Sequence, residues 1–307
     1  MIIYFNRLPL NTSWGGGNQF LKSMIDYFTK KGHTVVHDLI PNIDWIFTID
    51  PRPREQGVGI NEIYNYKLIN PNVKIFYRVN ECDKRKNTHG MDELIRQMII
   101  ISDKVVFISD WLKDYFSNLG VNKESYVITN GCNHDHFYPA DTPTLTNKIK
   151  LVTHHWSDHW LKGFDIYQKI DEYILNNPDC LFEFYYIGNH NNSYKPTSTN
   201  LISPACGKKL GELLRQFDVY VTASRWEPGG MHHIEAASCG LPILFHEEGG
   251  GINELASLHG EIFKDFQSFL YKFNLLTSDY KKYRDKINYN NLSSETCCEK
   301  FYNLICG

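Results

Sequence analysis

The chain has 307 residues, enough for one large or two medium domains. Apolar residues make up 42% of it and charged residues 22%, which are ordinary proportions for a globular protein in water. The formal net charge of −3 argues against a dedicated nucleic-acid-binding protein, which would usually be clearly basic.

The first half of the chain alternates short apolar runs with helical patterns. Ile2–Phe5 predicts a strand, residues 14–18 predict a glycine-rich turn, and apolar residues then recur at helical spacing from Phe20 to Phe28. The further predicted elements are the strands Val35–His37, Trp45–Thr48, Lys74–Arg78 and Lys104–Ile108, and the helix Trp111–Leu119. Such alternation predicts a parallel sheet covered on both faces.

The same alternation restarts after a polar stretch at residues 141–148. The predicted strands of the second half are Lys150–Thr153, Leu181–Ile187, Val219–Thr222 and Pro242–Phe245. The predicted helices are Phe164–Leu175, Leu210–Phe217, Met231–Cys239 and one that follows residues 249–254. A second doubly wound α/β domain is therefore expected.

The chain is predicted to contain an N-terminal Rossmann-like domain at residues 1–140 and a second one at residues 149–280. The last segment, residues 281–307, has helical stretches that could pack back on the N-terminal domain. Two doubly wound domains that face each other make a central cleft, and ligands of such sheets bind at the carboxyl ends of the strands.

The eight cysteines form no C-x-x-C pair, so neither a zinc ribbon nor a thioredoxin motif is indicated. We expect them to be reduced and mostly buried, as in a cytosolic protein. The N-terminus lacks the pattern of a secretory signal, and no window has the roughly 18 apolar residues of a membrane span. A cytoplasmic protein is expected, with peripheral membrane contact left open.

The residues most indicative of chemistry lie at 222–242, after a predicted strand and at the start of a predicted helix. Gly229 and Gly230 leave backbone N–H groups bare, and a helix N-terminus adds partial positive charge, so a diphosphate would fit there. Glu227 and Glu235 flank these glycines, and a carboxylate can accept hydrogen bonds from two adjacent sugar hydroxyls. From spacing alone, the two acids could equally be a helix-start acid and a solvated side chain.

This stretch resembles the donor-binding motif of the retaining family-4 glycosyltransferases (glycosyl transferases group 1), E-x-F-G-x-x-x-x-E-A before a helix that ends G-x-P. The residues that match are Glu227, Gly230, Glu235, Ala236, Gly240 and Pro242, and Gly229 stands where the family usually has Phe. The resemblance implies that Glu235 holds the ribose and that Glu227 contacts the transferred sugar. It also implies that the backbone from Gly229 through Met231 to His232 meets sugar and phosphate.

Other stretches resemble the same family. Residues 130–139 are similar to the element that ends its N-terminal domain, and residues 249–254 to its G-G-x-x-E element. Lys162 and Gly163 open a K-G-x-D turn, whose lysine binds the donor diphosphate in the family. The glycine-rich loop that faces diphosphate and acceptor would comprise Gly15, Gly16 and Gly17. Pro204 and Ala205 are expected to border the nucleobase.

One departure concerns the G-R pair that the family carries shortly before the K-G lysine. Trp156 and Ser157 occupy those positions here. A second cation is desirable because the departing nucleoside diphosphate gains charge in the transition state. The candidates that could supply it are Arg225, Arg78 and a protonated His154 or His155.

Candidate acceptor contacts lie after a predicted strand of the first half: Arg78, Asn80, Asp83 and Arg85. They could bind acceptor or phosphate, touch anionic lipid headgroups, or form a solvated basic loop. Trp156, Trp160 and Trp226 flank the proposed donor site and could stack on a sugar or serve in packing.

Histidines raise the question of a metal, since His155 and His159 are four residues apart and His134 and His136 are close in sequence. No third ligand is identifiable from spacing, whereas a zinc site needs three or four. The resemblance also implies a metal-independent donor site.

The resemblance implies the GT-B fold, in which two Rossmann-like domains face a cleft, with the acceptor on the first and the donor on the second. It implies transfer of a hexosyl group, with retention, from a nucleoside diphosphate sugar to a hydroxyl of a glycan, glycolipid or glycoprotein. A UDP-sugar is the default donor, and no further cofactor is expected. Glu227 and Lys162 are assigned catalytic roles in placing sugar and charge, without a protein nucleophile.

Other functions remain open from the sequence. A nucleotide-sugar epimerase or a phosphorylase could share the fold, and a non-catalytic nucleotide-sugar or glycan-binding protein could share the site. An NAD-dependent dehydrogenase is disfavoured because the triple glycine does not complete G-x-G-x-x-G.

Overall fold

The computed structural model describes residues 1–10, 15–53, 55, 57–140, 145 and 148–307. These form two compact units, one of residues 1–130 with 294–307 and one of residues 131–293. Trp14 and most of the polar stretch at 141–148 lie outside the described residues. The domain ranges predicted from the sequence stay a prediction. In the division that the structure shows, the chain passes from the first unit to the second and then back to the first.

The described residues of the first unit form six strands and four helices before its final helix. The strands are β1 (Ile2–Phe5), β2 (Thr34–Val36), β3 (Trp45–Thr48), β4 (Lys74–Val79), β5 (Lys104–Phe107) and β6 (Tyr126–Val127). The helices are α1 (Gly15–Lys30), α2 (Ile60–Ile69), α3 (Met91–Ile101) and α4 (Asp110–Asn118). All strand pairs are parallel, in the order β2-β1-β3-β4-β5-β6.

Both faces of this sheet are buried, as the β-α alternation predicts. Apolar residues of α2, α3 and α4 pack on one face, and those of α1 on the other. The predicted turn at residues 14–18 is wrong for its described part, because α1 already begins at Gly15. Glycines are poor helix formers, so composition favoured a turn, whereas the helix extends N-terminal to the apolar spacing that begins at Phe20.

The second unit repeats the architecture. Its strands are β7 (Ile149–His155), β8 (Phe182–Gly188), β9 (Asn200–Ile202), β10 (Val219–Thr222), β11 (Ile243–His246) and β12 (Gly260–Phe263). Its helices are α5 (Phe164–Asn176), α6 (Gly207–Leu214), α7 (His232–Ser238), α8 (Ile252–Ala256), α9 (Phe266–Ser278) and α10 (Tyr280–Asp285). Every pairing is again parallel, in the order β12-β11-β10-β7-β8-β9.

This strand order is that of a Rossmann sheet. Strands β7 to β9 are added outward from the centre in one direction, and strands β10 to β12 outward in the other. Helices α5 and α9 cover one face of the sheet, and α6, α7 and α8 cover the other. The direction of winding therefore changes between β7 and β10, the neighbouring strands at the centre.

Strand β7 is three residues longer than the sequence predicts, one at its start and two at its end. Its pairing with β8 continues through His154 and His155, which lie opposite Ile187 and Gly188. The two histidines ended the apolar run that the prediction followed, but at the carboxyl end of a strand polar side chains can reach toward a ligand site.

The last helix, α11 (Ser294–Cys306), belongs to the first unit. It packs against α1, and the ring of Phe301 lies 5.1 Å from that of Phe20 and 5.7 Å from that of Phe76. The predicted terminal segment 281–307 is therefore divided, with α10 in the second unit and α11 in the first.

Within the described residues no disulfide joins any of the eight cysteines, and five of them are buried, which agrees with reduced core thiols. Across the described residues, no helix has both the length and the apolar character that crossing a membrane requires.

Candidate functional site

The point where the winding reverses in the second unit brings chemistry-bearing residues together. Parallel strands flanked by helices on opposite faces leave a crevice at their carboxyl ends, and that is where such sheets bind ligands. Strand β7 ends there with His154 and His155, and the chain after β10 continues through Arg225 to Glu227. Both stretches that the sequence selected in this unit, 153–165 and 222–242, meet at this crevice.

Lys162 and Glu227 form a buried ion pair. Lys162 ends a short 3₁₀ turn after β7, and its Nζ contacts Oε2 of Glu227, with 13% and 7% of the two side chains exposed. Gly163 follows with φ of 99°, and a Cβ there would lie 2.3 Å from Cβ of Ala223. The absence of a side chain at Gly163 thus lets the lysine turn lie directly on the end of β10.

The position of Glu227 is set by backbone pairing between two loops. Its N–H donates to the carbonyl of Gly249 at 3.2 Å, and its carbonyl accepts from the N–H of Gly251 at 2.9 Å. A Cβ on Gly250, which has φ of 71°, would lie 2.8 Å from the Glu227 carbonyl oxygen. Trp226 has φ of 51°, a conformation that non-glycine residues adopt only where the surroundings impose it. The acid is therefore held by its own loop and by the one after β11.

Glu235 lies in the first turn of α7 and pairs with a residue on β7. Its Oε2 is 2.9 Å from Nε2 of His154, and the two side chains are 14% and 10% exposed. This contact brings the second predicted acid to the same crevice as Lys162 and Glu227. The sequence interpretation gave His154 only as an optional cation and did not foresee this pairing.

His155 and His232 are buried beside each other, with ring centroids 4.9 Å apart. Nε2 of His155 lies 3.0 Å from the Tyr167 hydroxyl, and Nε2 of His232 lies 3.1 Å from the Thr222 hydroxyl. Burial, helped by the nearby Lys162 charge, holds the pKa of both imidazoles well below the usual value. A protonated His155 is therefore not available as the second cation, although contact with a donor stays a prediction for both residues.

Arg225 braces the site with two carboxylates. Its guanidinium donates to both carboxylate oxygens of Asp165 at 2.8 and 2.6 Å and lies 3.3 Å from Glu248. The hydrogen bonds from Arg225 hold the pKa of Asp165 below its usual value although burial acts to raise it. The charge of Arg225 is thus already matched, and the sequence did not indicate these partners.

The remaining donor candidates lie between Glu227 and α7 or at the sheet edge. A Cβ on Gly230 would lie 2.6 Å from the ring of His232, so this position accepts only glycine without rearrangement. Gly229 and Met231 are half-buried. Pro204 and Ala205 follow β9, the former exposed and the latter half-buried. Their contact with a nucleobase stays a prediction.

In the first unit, Arg78 is only 1% exposed. Its Nη2 donates to Oδ1 of Asn130 at 2.7 Å, its guanidinium lies 3.9 Å from the ring centre of Phe20, and burial lowers its pKa to about 10. When the side-chain amide of Asn80 is oriented with its oxygen toward Arg78 and its nitrogen toward Ile49, it accepts from Nη1 of Arg78 at 2.9 Å and donates to the Ile49 carbonyl at 3.1 Å. Because its side chain is buried, Arg78 would influence an acceptor only through Asn80 and Asn130, whose side-chain amides it contacts.

The other two acceptor candidates have local structural partners. Asp83 accepts hydrogen bonds from the N–H groups of Met91 and Asp92, at 3.2 and 2.9 Å, and from the Thr88 hydroxyl at 2.8 Å. It thereby caps the start of α3. Arg85 donates to Glu81 at 3.1 Å. A role in acceptor binding stays a prediction for both. Contact of the donor diphosphate and acceptor with Gly15, Gly16 and Gly17, in the first turn of α1, likewise stays a prediction.

Within the described residues, no group of three or more His, Cys, Asp or Glu side chains is placed to hold a metal ion. The independence of the site from metals stays a prediction.

Comparisons with known proteins agree with this geometry. The family model for glycosyl transferases group 1 matches residues 199–292, which include β10, α7 and both predicted acids. The sequence matched no curated protein.

Several solved structures share the fold over nearly the whole chain. The sucrose-phosphate synthase of Thermosynechococcus elongatus superposes with a TM-score of 0.75 at 13% identity, covering 99% of this chain and 97% of that one. HepE of Anabaena, in complex with UDP and glucose, gives 0.70 at 14% identity with 99% and 98% covered. WaaG, a glycosyltransferase involved in lipopolysaccharide biosynthesis, gives 0.68 at 13% identity with full coverage of both chains, 100% each. The fold is that of GT-B glycosyltransferases, as predicted.

Proposed function

We propose that this protein is a retaining hexosyltransferase that moves a sugar from a nucleoside diphosphate sugar to an acceptor hydroxyl of a glycan, glycolipid or glycoprotein. One observation carries the proposal. Lys162, Glu227 and Glu235 converge at the carboxyl ends of β7 and β10, where the winding of a Rossmann sheet reverses. The family match to glycosyl transferases group 1 covers two of the three.

The roles of these residues follow from charge. Departure of the nucleoside diphosphate builds negative charge on its phosphates, and a fixed cation with backbone N–H groups would stabilise it. Lys162 and the backbone at 229–232 would supply them. In the free protein the charge of Lys162 is balanced by Glu227, so an entering diphosphate would compete with the carboxylate for the lysine. Glu227 would then be released to accept hydroxyls of the transferred sugar.

Retention without a protein nucleophile requires the acceptor to attack from the face that the diphosphate leaves. Under this proposal, an oxygen of the departing diphosphate takes the acceptor proton, and no side chain bonds to the sugar. Glu235 would hold the ribose. A UDP-sugar is the first donor to test, because HepE, which shares the fold, was solved with UDP and with UDP-glucose.

The test is a thermal-shift and transfer screen against UDP-, GDP- and ADP-sugars in the presence of EDTA, followed by NMR of the anomeric configuration of the product. We expect one donor to stabilise the protein and to give a product with the anomeric configuration of the donor. Glu227→Gln should lower kcat by roughly 100-fold or more, as loss of an interaction made in the transition state does. An inverted product contradicts retention. Donor binding without any transfer would indicate a non-catalytic nucleotide-sugar-binding protein.

A further inference from the structure

The hydrogen bond between His154 and Glu235 joins the end of β7 to the first turn of α7. Nε2 and Oε2 are 2.9 Å apart, and both side chains are largely buried. An ionised carboxylate only accepts hydrogen bonds, so Nε2 carries the proton and donates. The other ring nitrogen, Nδ1, takes no part in this contact.

The histidine is held on several sides. The Tyr220 hydroxyl accepts from the backbone N–H of His154 at 3.2 Å and donates to its carbonyl at 3.3 Å. The imidazole packs against the rings of Tyr220 and His232, with centroids 5.4 and 6.2 Å away. Its direction is therefore fixed by neighbours other than Glu235.

Shape and packing alone do not explain an imidazole at this position. Nδ1 of His154 is buried and has no hydrogen-bond partner, which costs free energy that a phenylalanine of similar shape would not cost. The imidazole is accounted for by its other nitrogen, which directs the Glu235 carboxylate. The second oxygen of that carboxylate, Oε1, has no hydrogen-bond partner among the residues that the structure describes.

We propose that His154 is a positioning residue that orients Glu235, so that its carboxylate accepts a ribose hydroxyl of the bound nucleotide. This inference rests on the proposed function, since it takes the ligand to be a nucleoside diphosphate. His154 itself touches no reacting atom. It makes the acid at the ribose rigid, and thereby sharpens the preference for a ribonucleotide over its 2′-deoxy form.

The test is titration calorimetry with UDP and 2′-deoxy-UDP, or with the corresponding GDP or ADP pair if the protein binds that base. The ratio of the two dissociation constants measures the contribution of the ribose hydroxyl. The wild type should prefer the ribonucleotide roughly tenfold or more, because the lost bond is to a charged group. In His154→Phe the preference should fall to about twofold. His154→Gln should restore it, because its amide can donate from nearly the position of Nε2.

A purely structural role would weaken both nucleotides equally and leave the ratio unchanged, and that result overturns the inference. His259→Phe is the matched control, because His259 is also buried with an unpartnered ring nitrogen but does not contact Glu235, and it should keep the wild-type ratio. If His154→Phe does not fold, His154→Asn replaces it, since that amide is too short to reach Glu235.

Failure of the inference can be told from failure of the proposed function. If the wild type binds a nucleotide and the ratio does not respond to substitution of His154, only the positioning role is lost. If the wild type binds none of UDP, GDP and ADP, the proposed function and this inference are both overturned.

Discussion

Gly163 is a residue at which the site tolerates no side chain, for two separate reasons. Its φ of 99° is costly for any L-residue, and a Cβ would lie 2.3 Å from Cβ of Ala223. We expect Gly163→Ala to lower the free energy of unfolding by roughly 3 kcal/mol, the sum of backbone strain and overpacking. Urea denaturation would measure this.

Gly120→Ala separates the two causes. Gly120 has φ of 86°, but nothing lies within 4 Å of the place a Cβ would take, so only the strain of about 1–2 kcal/mol should appear. Equal losses in the two variants would mean that the contact between the lysine turn and β10 is not as tight as described. Donor affinity should fall only in Gly163→Ala, because the shift moves Lys162.

The Lys162–Glu227 pair allows stability and activity to be separated. Lys162→Met should destabilise the protein by roughly 3 kcal/mol, because the buried Glu227 carboxylate would lose the lysine charge that compensates it. Adding Glu227→Gln removes the uncompensated charge, so the double variant should recover most of the stability while sugar transfer stays lost. Thermal melts and transfer assays on the three variants would measure both. If the two single losses simply add in the double variant, the pair is not coupled as its contact implies.

At the scale of elements, α7 and the turn between α8 and β12 bring two buried histidines, His233 and His259, close to each other. Burial lowers the pKa of His233 to about 3 and that of His259 to about 4, against a usual 6.5, and both are only 1% and 2% exposed. Below pH 6.5 these two histidines bind protons in the unfolded chain but stay neutral in the folded chain. The free energy of unfolding should therefore fall as pH drops from 6.5 to about 4, by roughly 1.4 kcal/mol per pH unit for each histidine.

Urea midpoints at pH 7, 6 and 5 would measure this slope. His259→Leu should reduce the dependence by the share of one histidine, about 1.4 kcal/mol per pH unit. His89→Leu, at an exposed position, should keep the wild-type slope. A slope that is the same in all three proteins would show that the acid sensitivity arises elsewhere.

Elements with strong periodicity could be predicted from the sequence, and those set by tertiary pairing could not. Trp45–Thr48 and Val219–Thr222 have the predicted bounds because each is a short run of β-formers that begins after an aspartate and ends at a threonine. Strand β7 extends to His155 only because β8 pairs with it that far, which no local pattern reveals. The first turn of α1 was missed since three glycines favour a turn, whereas the helix is stabilised by packing of its later turns.

The site divides in the same way. Glu227, Lys162 and Glu235 carry recognisable spacing, and the structure brings them to one crevice. The partners of Glu235 and of Arg225 were not predictable. His154 contacts Glu235, and Asp165 and Glu248 contact Arg225, although these residues lie far apart in the chain. Spacing identifies a residue that belongs to a motif, but charge pairing across a sheet depends on strand order.

At the scale of the whole molecule, the first unit depends on the end of the chain. Helix α11 covers α1, and Phe301 packs among the rings of Phe20, Phe47 and Phe76. A chain that ends at Ser293 should lose at least the roughly 3–5 kcal/mol of a deleted buried phenylalanine, and only in the first unit.

Hydrogen exchange followed by mass spectrometry would locate this loss. Amides of β1, β3 and β4 should exchange faster in the shortened chain, while those of β7, β10 and β11 should keep their protection. Phe301→Ala should give the same pattern in milder form. Faster exchange throughout both units would contradict the assignment of α11 to the first.

We propose that a nucleoside diphosphate binds at the carboxyl ends of β7 and β10. The most direct measurement is a crystal structure of the protein with the nucleotide that stabilises it in the screen. We expect phosphate oxygens within hydrogen-bond distance of Lys162 and of the backbone N–H groups at 229–232, and ribose hydroxyls on Glu235. A nucleotide bound elsewhere, with Glu227 and Glu235 untouched, would contradict it.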